Sequence, residues 1–440
     1  MSANHSSVQS TPPAAGLSLN SKILIGLMAG VAMGFILRFI PGDWVDVYLV
    51  NGLFEVIGKL FVRGLSMLVV PLVLVSLICG ASSLGDPSRL SRLGGKTIGL
   101  YLLTTGIAVT LALTAALLVQ PGAGADLSSA AVYDGNAAPS LVQVLIELVP
   151  RNPIQAMASG SMLPIIVFAL LIGVSITLAG EAGERVRLIF NDLNAVVMKL
   201  VTLIMTIAPY GVFALITKLV ATTGGEIFGN LAIYIFLVLG ILLMHMLVTY
   251  PVIMVIFSGL NPKRFLHKMR AAWLFAFSTA SSNATIPVTL NTVENRLGAN
   301  NKVAAFTVPL GATINMDGTA IMQGIATAFI AQAYGIDLSI GQYLIVVIMV
   351  IMASIGAAGV PGVGIILLAG VLDQVGLPKD GIAIILGVDR ILDMARTAVN
   401  ITGDAMVTTV VAKSEGELDE TVFNNPSAGI IRDQDLAPAN

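Results

Sequence analysis

Asp389, Asp393, Arg396, Asn400 and Asp404 advance by four, three, four and four residues near the end of the chain. That spacing keeps them on one face of a helix. The surrounding residues, Gly387 to Asp404, are otherwise mostly apolar, and with Arg390 they include five ionised groups. At membrane depth such groups cost about 2.5–3.5 kcal/mol each, or roughly 12–18 kcal/mol in all. No single internal salt bridge offsets that sum. A structural ion-pair ladder facing other helices is one reading. A site for charged ligands is the other, because charges buried in membranes mark substrate or ion pathways.

A second polar cluster, Asn315-Met316-Asp317-Gly318-Thr319, interrupts an apolar run. It is either a glycine kink with locally satisfied groups, or an unwound turn whose carbonyls join Asn315 and Asp317 around a hard cation. Sodium and calcium take such oxygen ligands, and no nitrogen or sulfur set for zinc is present. Two further apolar segments break at their middles, Ser278 to Pro287 and Gly356 to Gly364. Helix N-termini at those breaks offer amide N–H groups to an anion.

The elements that must position these groups are membrane helices. Of 440 residues, 56% are hydrophobic and only 11% charged, and mean hydropathy is +0.91. A soluble domain carries roughly a quarter charged residues, so the membrane class follows. A net charge of −2 gives no reason to expect nucleic acid as a partner. The single cysteine, Cys79, excludes a disulfide framework, and His5, His245 and His267 are too scattered for a metal site. A catalytic membrane protease would need a base or ligand set that the lone membrane-depth His245 does not supply. No enzyme is expected, and no cofactor.

A spanning helix needs about 20 mainly apolar residues. Candidates fall near 22–40, 53–82, 97–120, 155–180, 188–219, 227–257, 303–333 and 381–412. The interrupted segments 265–293 and 341–372 are expected to be helical hairpins that enter and leave on one side, since non-helical backbone at membrane depth needs protein or a water-filled cavity beside it. The expected fold is thus an all-α polytopic membrane protein with eight transmembrane helices and two re-entrant hairpins. One set of loops then holds Arg89, Arg92, Lys96, Arg185, Arg187, Lys263, Arg264, Lys268, Arg270, Arg296 and Lys302, the other only Arg151 and Lys379 among many acids. The positive-inside rule puts both termini in the cytoplasm. Residues 1–20 are polar and lack the basic start of a cleavable signal. They and the acidic segment 414–440 are expected to be disordered, flanking a membrane domain over 21–413. Hairpin followed by long helix occurs twice in the C-terminal half, and paired interrupted segments point to a transporter's binding site.

The stretches Ser281 to Thr289, Asn315 to Thr319, Gly359-Val360-Pro361-Gly362 and Asp393 to Asp404 resemble those of the dicarboxylate/amino acid:cation symporters, which include the glutamate transporters. The likeness covers about residues 20–415. It implies an elevator fold in a homotrimer within the bacterial inner membrane. Spans near 22–82 and 155–219 would form the scaffold. Those near 97–120 and 227–257, with 265–412, would form the moving transport domain. It implies symport of glutamate or aspartate with sodium as coupling ion.

Carried over by residue, Arg396 would hold the side-chain carboxylate, as its planar fork suits, and Asp393 the α-amino group. Asn400, Thr397, Thr319 and Ser282 would bind main-chain and remaining polar atoms, with Ser281, Val360 and Gly364 from the hairpins. One sodium would be shared by Gly311, Asn315, Asn400 and Asp404. A second would use Thr313, Met316, Ser354, Ile355 and Ala357, mainly through carbonyls. A third would use Tyr101, Thr104, Thr105, Asn315 and Asp317. Where some relatives carry an arginine at the first hairpin tip this chain has Ala280, and Arg390 would supply the equivalent charge. Asp317, Asp389, Asp393 and Asp404 against Arg390 and Arg396 leave −2. An acidic amino acid makes that −3, a balance that favours about three cations, one of them replaceable by a proton. A C4-dicarboxylate is the alternative substrate, and protons are the alternative coupling ion. Asp393 favours an amine-bearing substrate, and Asp404 favours sodium.

Overall fold

The computed structural model describes residues 19–82, 87–125, 146, 149–223, 227–355, 357, 359 and 361–429. Among them every regular element is helical, apart from an isolated antiparallel bridge between Ala299 and Leu418. Helix α1 spans Leu19–Arg38. A π-helical stretch, Val45–Phe54, leads into α2, Glu55–Ser82, followed by α3, Pro87–Val119. Then come α4 (Pro153–Ser159), α5 (Met162–Leu178), α6 (Gly180–Thr206), α7 (Ala208–Thr223), α8 (Ile227–Met244) and α9 (Tyr250–Ser258). Large apolar side chains such as Met28, Leu118, Phe236, Leu274 and Ile340 stand exposed on the helices, a surface that suits lipid.

By length and composition, Val45–Ser82, Arg92–Val119 and Gly229–Ser258 can each cross a bilayer, and Gly180–Ile204 with Ala208–Thr222, bent by 46°, forms a broken span or a re-entrant loop. The remaining expected spans miss that standard for physical reasons. The apolar windows Ile25–Arg38 and Pro164–Leu178 are short. Segment 303–333 is broken at Asn315 and Met316 into α12 (Asn301–Ile314) and α13 (Asp317–Ala333). The last long helix carries the five charged groups.

Both interrupted segments are helix–break–helix pairs. Asn261 caps α10 (Pro262–Thr279) by accepting from the Lys263 N–H at 3.0 Å, with Pro262 in the first turn. Ala280 ends the helix in the left-handed region, φ +48°. Ser281 then caps α11 (Ser282–Asn291) through the Ala284 N–H at 3.2 Å. The second pair is α14 (Ile340–Ile355) and α15 (Val363–Gln374). The two breaks meet: the Asn283 N–H and the Ser281 hydroxyl both donate to the Gly359 carbonyl, at 3.0 and 2.7 Å. A Cβ on Gly359 would lie 2.7 Å from the Ala312 carbonyl and 2.9 Å from the Asn283 nitrogen. Only glycine allows that approach.

Helix α16 (Ile382–Ser414) is the axis of the packing, with α10, α12 and α13 around it and α3 along α13. Separately, α1 lies along α7, and α2 packs on α5, α6 and α7. Where the sets touch, α15 rests on α2 and α16 on α7.

Residues 415–429 depart from the expected disordered tail. Asp419 caps a short helix, α17 (Glu420–Asn424), through the Thr421 and Val422 N–H groups. The Asp419 N–H donates to the Gly298 carbonyl at 2.8 Å, and the Asn300 N–H to that of Glu417 at 2.9 Å. Phe423 is fully buried. Lys268, counted above among the loop cations, is buried under this segment. Its ammonium donates to the carbonyls of Arg296, Val422 and Phe423 at 2.5, 2.7 and 2.9 Å. An acidic composition hid one aromatic anchor and a lysine that caps a helix C-terminus.

Candidate substrate and cation site

Helix α16 brings its charged face against the break between α12 and α13. Arg396 is wholly buried between two carboxylates. Its Nη2 donates to Asp393 Oδ1 at 2.8 Å, and Nη1 lies 2.7 Å from Asp389 Oδ1 without hydrogen-bond alignment. Asp393 Oδ2 accepts from the Gly362 N–H at 3.1 Å and from Arg390 Nη1 at 3.4 Å. The ion-pair ladder therefore exists. Yet among the described residues Arg396 Nε is buried without a hydrogen-bond acceptor, and Nη1 has only its ion pair with Asp389. Buried donors are seldom left so.

Beside this ladder lies a small pocket of about 20 Å³ bounded by Ser282, Met316, Thr319, Ala357, Gly359, Gly364, Asp393, Thr397 and Asn400. That is room for about one water. Arg396 lies behind this lining: its Nη1 is 3.5 Å from where a Cβ on Gly364 would stand. Of the expected substrate residues, Ser282, Thr319, Gly364, Asp393, Thr397 and Asn400 are together here. Arg390 instead lines a second small pocket with Asp389, Gly362 and Asp393, facing Ile23 and Leu65. The Ser281 hydroxyl is engaged at the hairpin contact. Val360 lies outside the described residues.

Oxygen atoms converge around the helix break. The Thr104 hydroxyl donates to Asn315 Oδ1 at 3.3 Å and the Thr105 hydroxyl to Asp317 Oδ1 at 2.5 Å. Asn315 Nδ2 donates to Asp404 Oδ1 at 2.9 Å and approaches the Asn400 carbonyl at 3.5 Å. A Cβ on Gly311 would strike Asp404 and the Tyr101 hydroxyl, so glycine lets the carboxylate close on the backbone. The sets Gly311, Asn315, Asn400, Asp404 and Tyr101, Thr104, Thr105, Asn315, Asp317 are thus each gathered, sharing Asn315. Hard oxygen donors of this kind suit sodium. In the set Thr313, Met316, Ser354, Ile355, Ala357, the Ser354 hydroxyl accepts from the Met316 N–H and donates to the Ile314 carbonyl, both at 3.0 Å. The Thr313 hydroxyl donates to the Leu310 carbonyl at 2.9 Å, and Thr313 lines a cavity of about 320 Å³ against α2 and α6.

Two residues in this neighbourhood escape the sequence patterns. His245 and Tyr250 both reach Asp317 Oδ2, at 3.2 and 2.9 Å. A histidine in an apolar span and a tyrosine before Pro251 were the available signal.

The family model described as the sodium:dicarboxylate symporter family matches residues 19–414. The chain is 37% identical over 416 residues to the proton/glutamate-aspartate symporter of Escherichia coli, covering 91% of this chain and 94% of that protein. It is 35% identical over 413 residues to the proton/sodium-glutamate symport protein of Bacillus caldotenax, covering 92% and 96%. A C4-dicarboxylate transport protein of Bacillus subtilis is 29% identical over 411 residues, covering 92% and 95%.

Proposed function

The chain belongs to the sodium:dicarboxylate symporter family, a membrane transporter and not an enzyme, and on that premise we propose that it carries an acidic amino acid, glutamate or aspartate, with sodium. The observation behind this is the pairing of Asp393, which lines the pocket, with Arg396, whose Nε has no acceptor among the described residues. A guanidinium fork for the side-chain carboxylate and a carboxylate for the ammonium match an amino diacid. Asp404 and Asp317, each buried beside Asn315 or threonine hydroxyls, support sodium as coupling ion.

The packing supports the expected division: α1, α2 and α5–α7 as scaffold, α3 and α8–α16 as the moving body. An eight-span elevator trimer in the inner membrane, both termini cytoplasmic, accords with that division and with the charge of the loops. A C4-dicarboxylate is the second reading. What favours it is that Asp393 is already engaged by Arg396, Arg390 and the Gly362 N–H, so its charge is partly compensated. Uptake of labelled aspartate into proteoliposomes, with sodium and proton gradients imposed separately, tests the proposal. Accumulation driven by sodium alone is expected. Accumulation driven only by protons, or of succinate in preference to aspartate, overturns it.

A further inference from the structure

Helix α8 does not pass straight into α9. Residues His245–Thr249 are π-helical, and the Tyr250 N–H bonds back five residues to the His245 carbonyl. Pro251 follows, with no N–H to give. In a regular α-helix of about 3.6 residues per turn, side chains five apart would point about 140° away from each other. The wider turn brings them together edge to face instead, with ring centroids 4.5 Å apart at 68°. Both then meet one atom, Asp317 Oδ2, His245 through Nε2 at 3.2 Å and Tyr250 through its hydroxyl at 2.9 Å. Such π-bulges recur at functional sites.

His245 is fully buried, and its Nδ1 has no partner. The ring therefore makes one polar contact, that with Asp317. Against a carboxylate, whose oxygens only accept, Nε2 would be the ring nitrogen that donates. Asp317 Oδ1 is left to the Thr105 hydroxyl, 2.5 Å away.

We propose that His245 is a positioning residue for the cation at Asp317: with Tyr250 it engages Oδ2 and so holds Oδ1 turned toward the Thr105 hydroxyl. This rests on the reading of Asp317 as a sodium ligand. Partners that orient a metal's ligands commonly matter about 10- to 100-fold in affinity. The bulge is the device that brings two donors from one helix onto one oxygen.

Sodium binding to the purified full-length protein is followed by the rise of its unfolding temperature with sodium concentration, a readout separate from transport. His245→Leu is expected to raise the half-saturating sodium concentration about 10- to 100-fold. His245→Gln, which keeps an amide donor at similar reach, recovers most of it. His245→Asn, whose donor stops short of Oδ2, behaves like the leucine variant and stands in for it if that variant does not fold. Unchanged half-saturation in the leucine or asparagine variant, or equal loss in the glutamine variant, overturns the role of His245. A parent protein indifferent to sodium, or an Asp317→Asn variant that responds as the parent does, overturns the reading of Asp317 instead.

Discussion

Asn315 donates its side-chain amide to Asp404 Oδ1 at 2.9 Å, which ties the break between α12 and α13 to the charged face of α16. Asn400 stands between the two sites. Its carbonyl faces the Asn315 amide at 3.5 Å, while its Oδ1 accepts from the Gly318 N–H at 2.8 Å beside the small pocket at the hairpin tips. On the proposed reading, a cation at Asp404 would act on the helix that presents Asn400 and Thr397 one and two turns earlier. Linked sites of this kind change each other's affinity reciprocally.

Asp404→Asn removes the buried carboxylate but keeps its shape. Aspartate affinity in this variant is expected to depend less steeply on sodium concentration than in the parent. The titration is substrate affinity against sodium, and identical slopes would take Asp404 out of the cation site.

The segment that clasps Lys268 carries its own expectation. Phe423 is fully buried, so Phe423→Ala should cost about 3–5 kcal/mol by the usual large-to-small cavity penalty. Lys268→Met strips three carbonyls of their donor and should also lower the unfolding temperature. A melting curve unchanged by either substitution would mean that residues 415–429 contribute nothing to the stability of the folded protein.

The breaks at Ala280–Ser281 and Asn315–Met316 are legible in the sequence because polar residues, glycine and proline interrupt apolar runs, and the α16 face because five side chains keep helical spacing. Other features leave no such trace. The π-helical turn at His245–Thr249 changes register by a fraction of a turn while the apolar composition runs on through it. Lys268 sits among Lys263, Arg264 and Arg270 and resembles a loop charge; its burial depends on Phe423, 155 residues away. That Asp393 is shared among Arg396, Arg390 and Gly362 is likewise a tertiary fact. Only Arg390 and Arg396 lie near it along the helix, and Gly362 comes from the second hairpin.

Arg396→Cys removes the proposed partner of the substrate side-chain carboxylate and also uncovers Asp389 and Asp393. Loss of one partner of a buried pair costs about 3–5 kcal/mol, so aspartate affinity should fall roughly a hundredfold or more. A small neutral amino acid such as serine, which needs no second positive charge, should be less affected. Binding of both, measured on the purified variant, checks this. Aspartate affinity equal to the parent's would remove Arg396 from the site.

The central claim is that Asp393 holds an ammonium group and Arg396 a carboxylate. Asp393→Ser separates it from the nearest alternative. Without Asp393 the ammonium of aspartate loses its buried partner, about 3–5 kcal/mol, or roughly a hundredfold or more in affinity. Succinate has no amine to lose, and the change also frees Arg390 Nη1 and Arg396 Nη2, both now bound to Asp393, for a second carboxylate. The measurement is competition of unlabelled aspartate and succinate against the same labelled substrate in parent and variant. Aspartate should weaken while succinate holds or strengthens; equal weakening of both would contradict the assignment of Asp393 to the substrate amine.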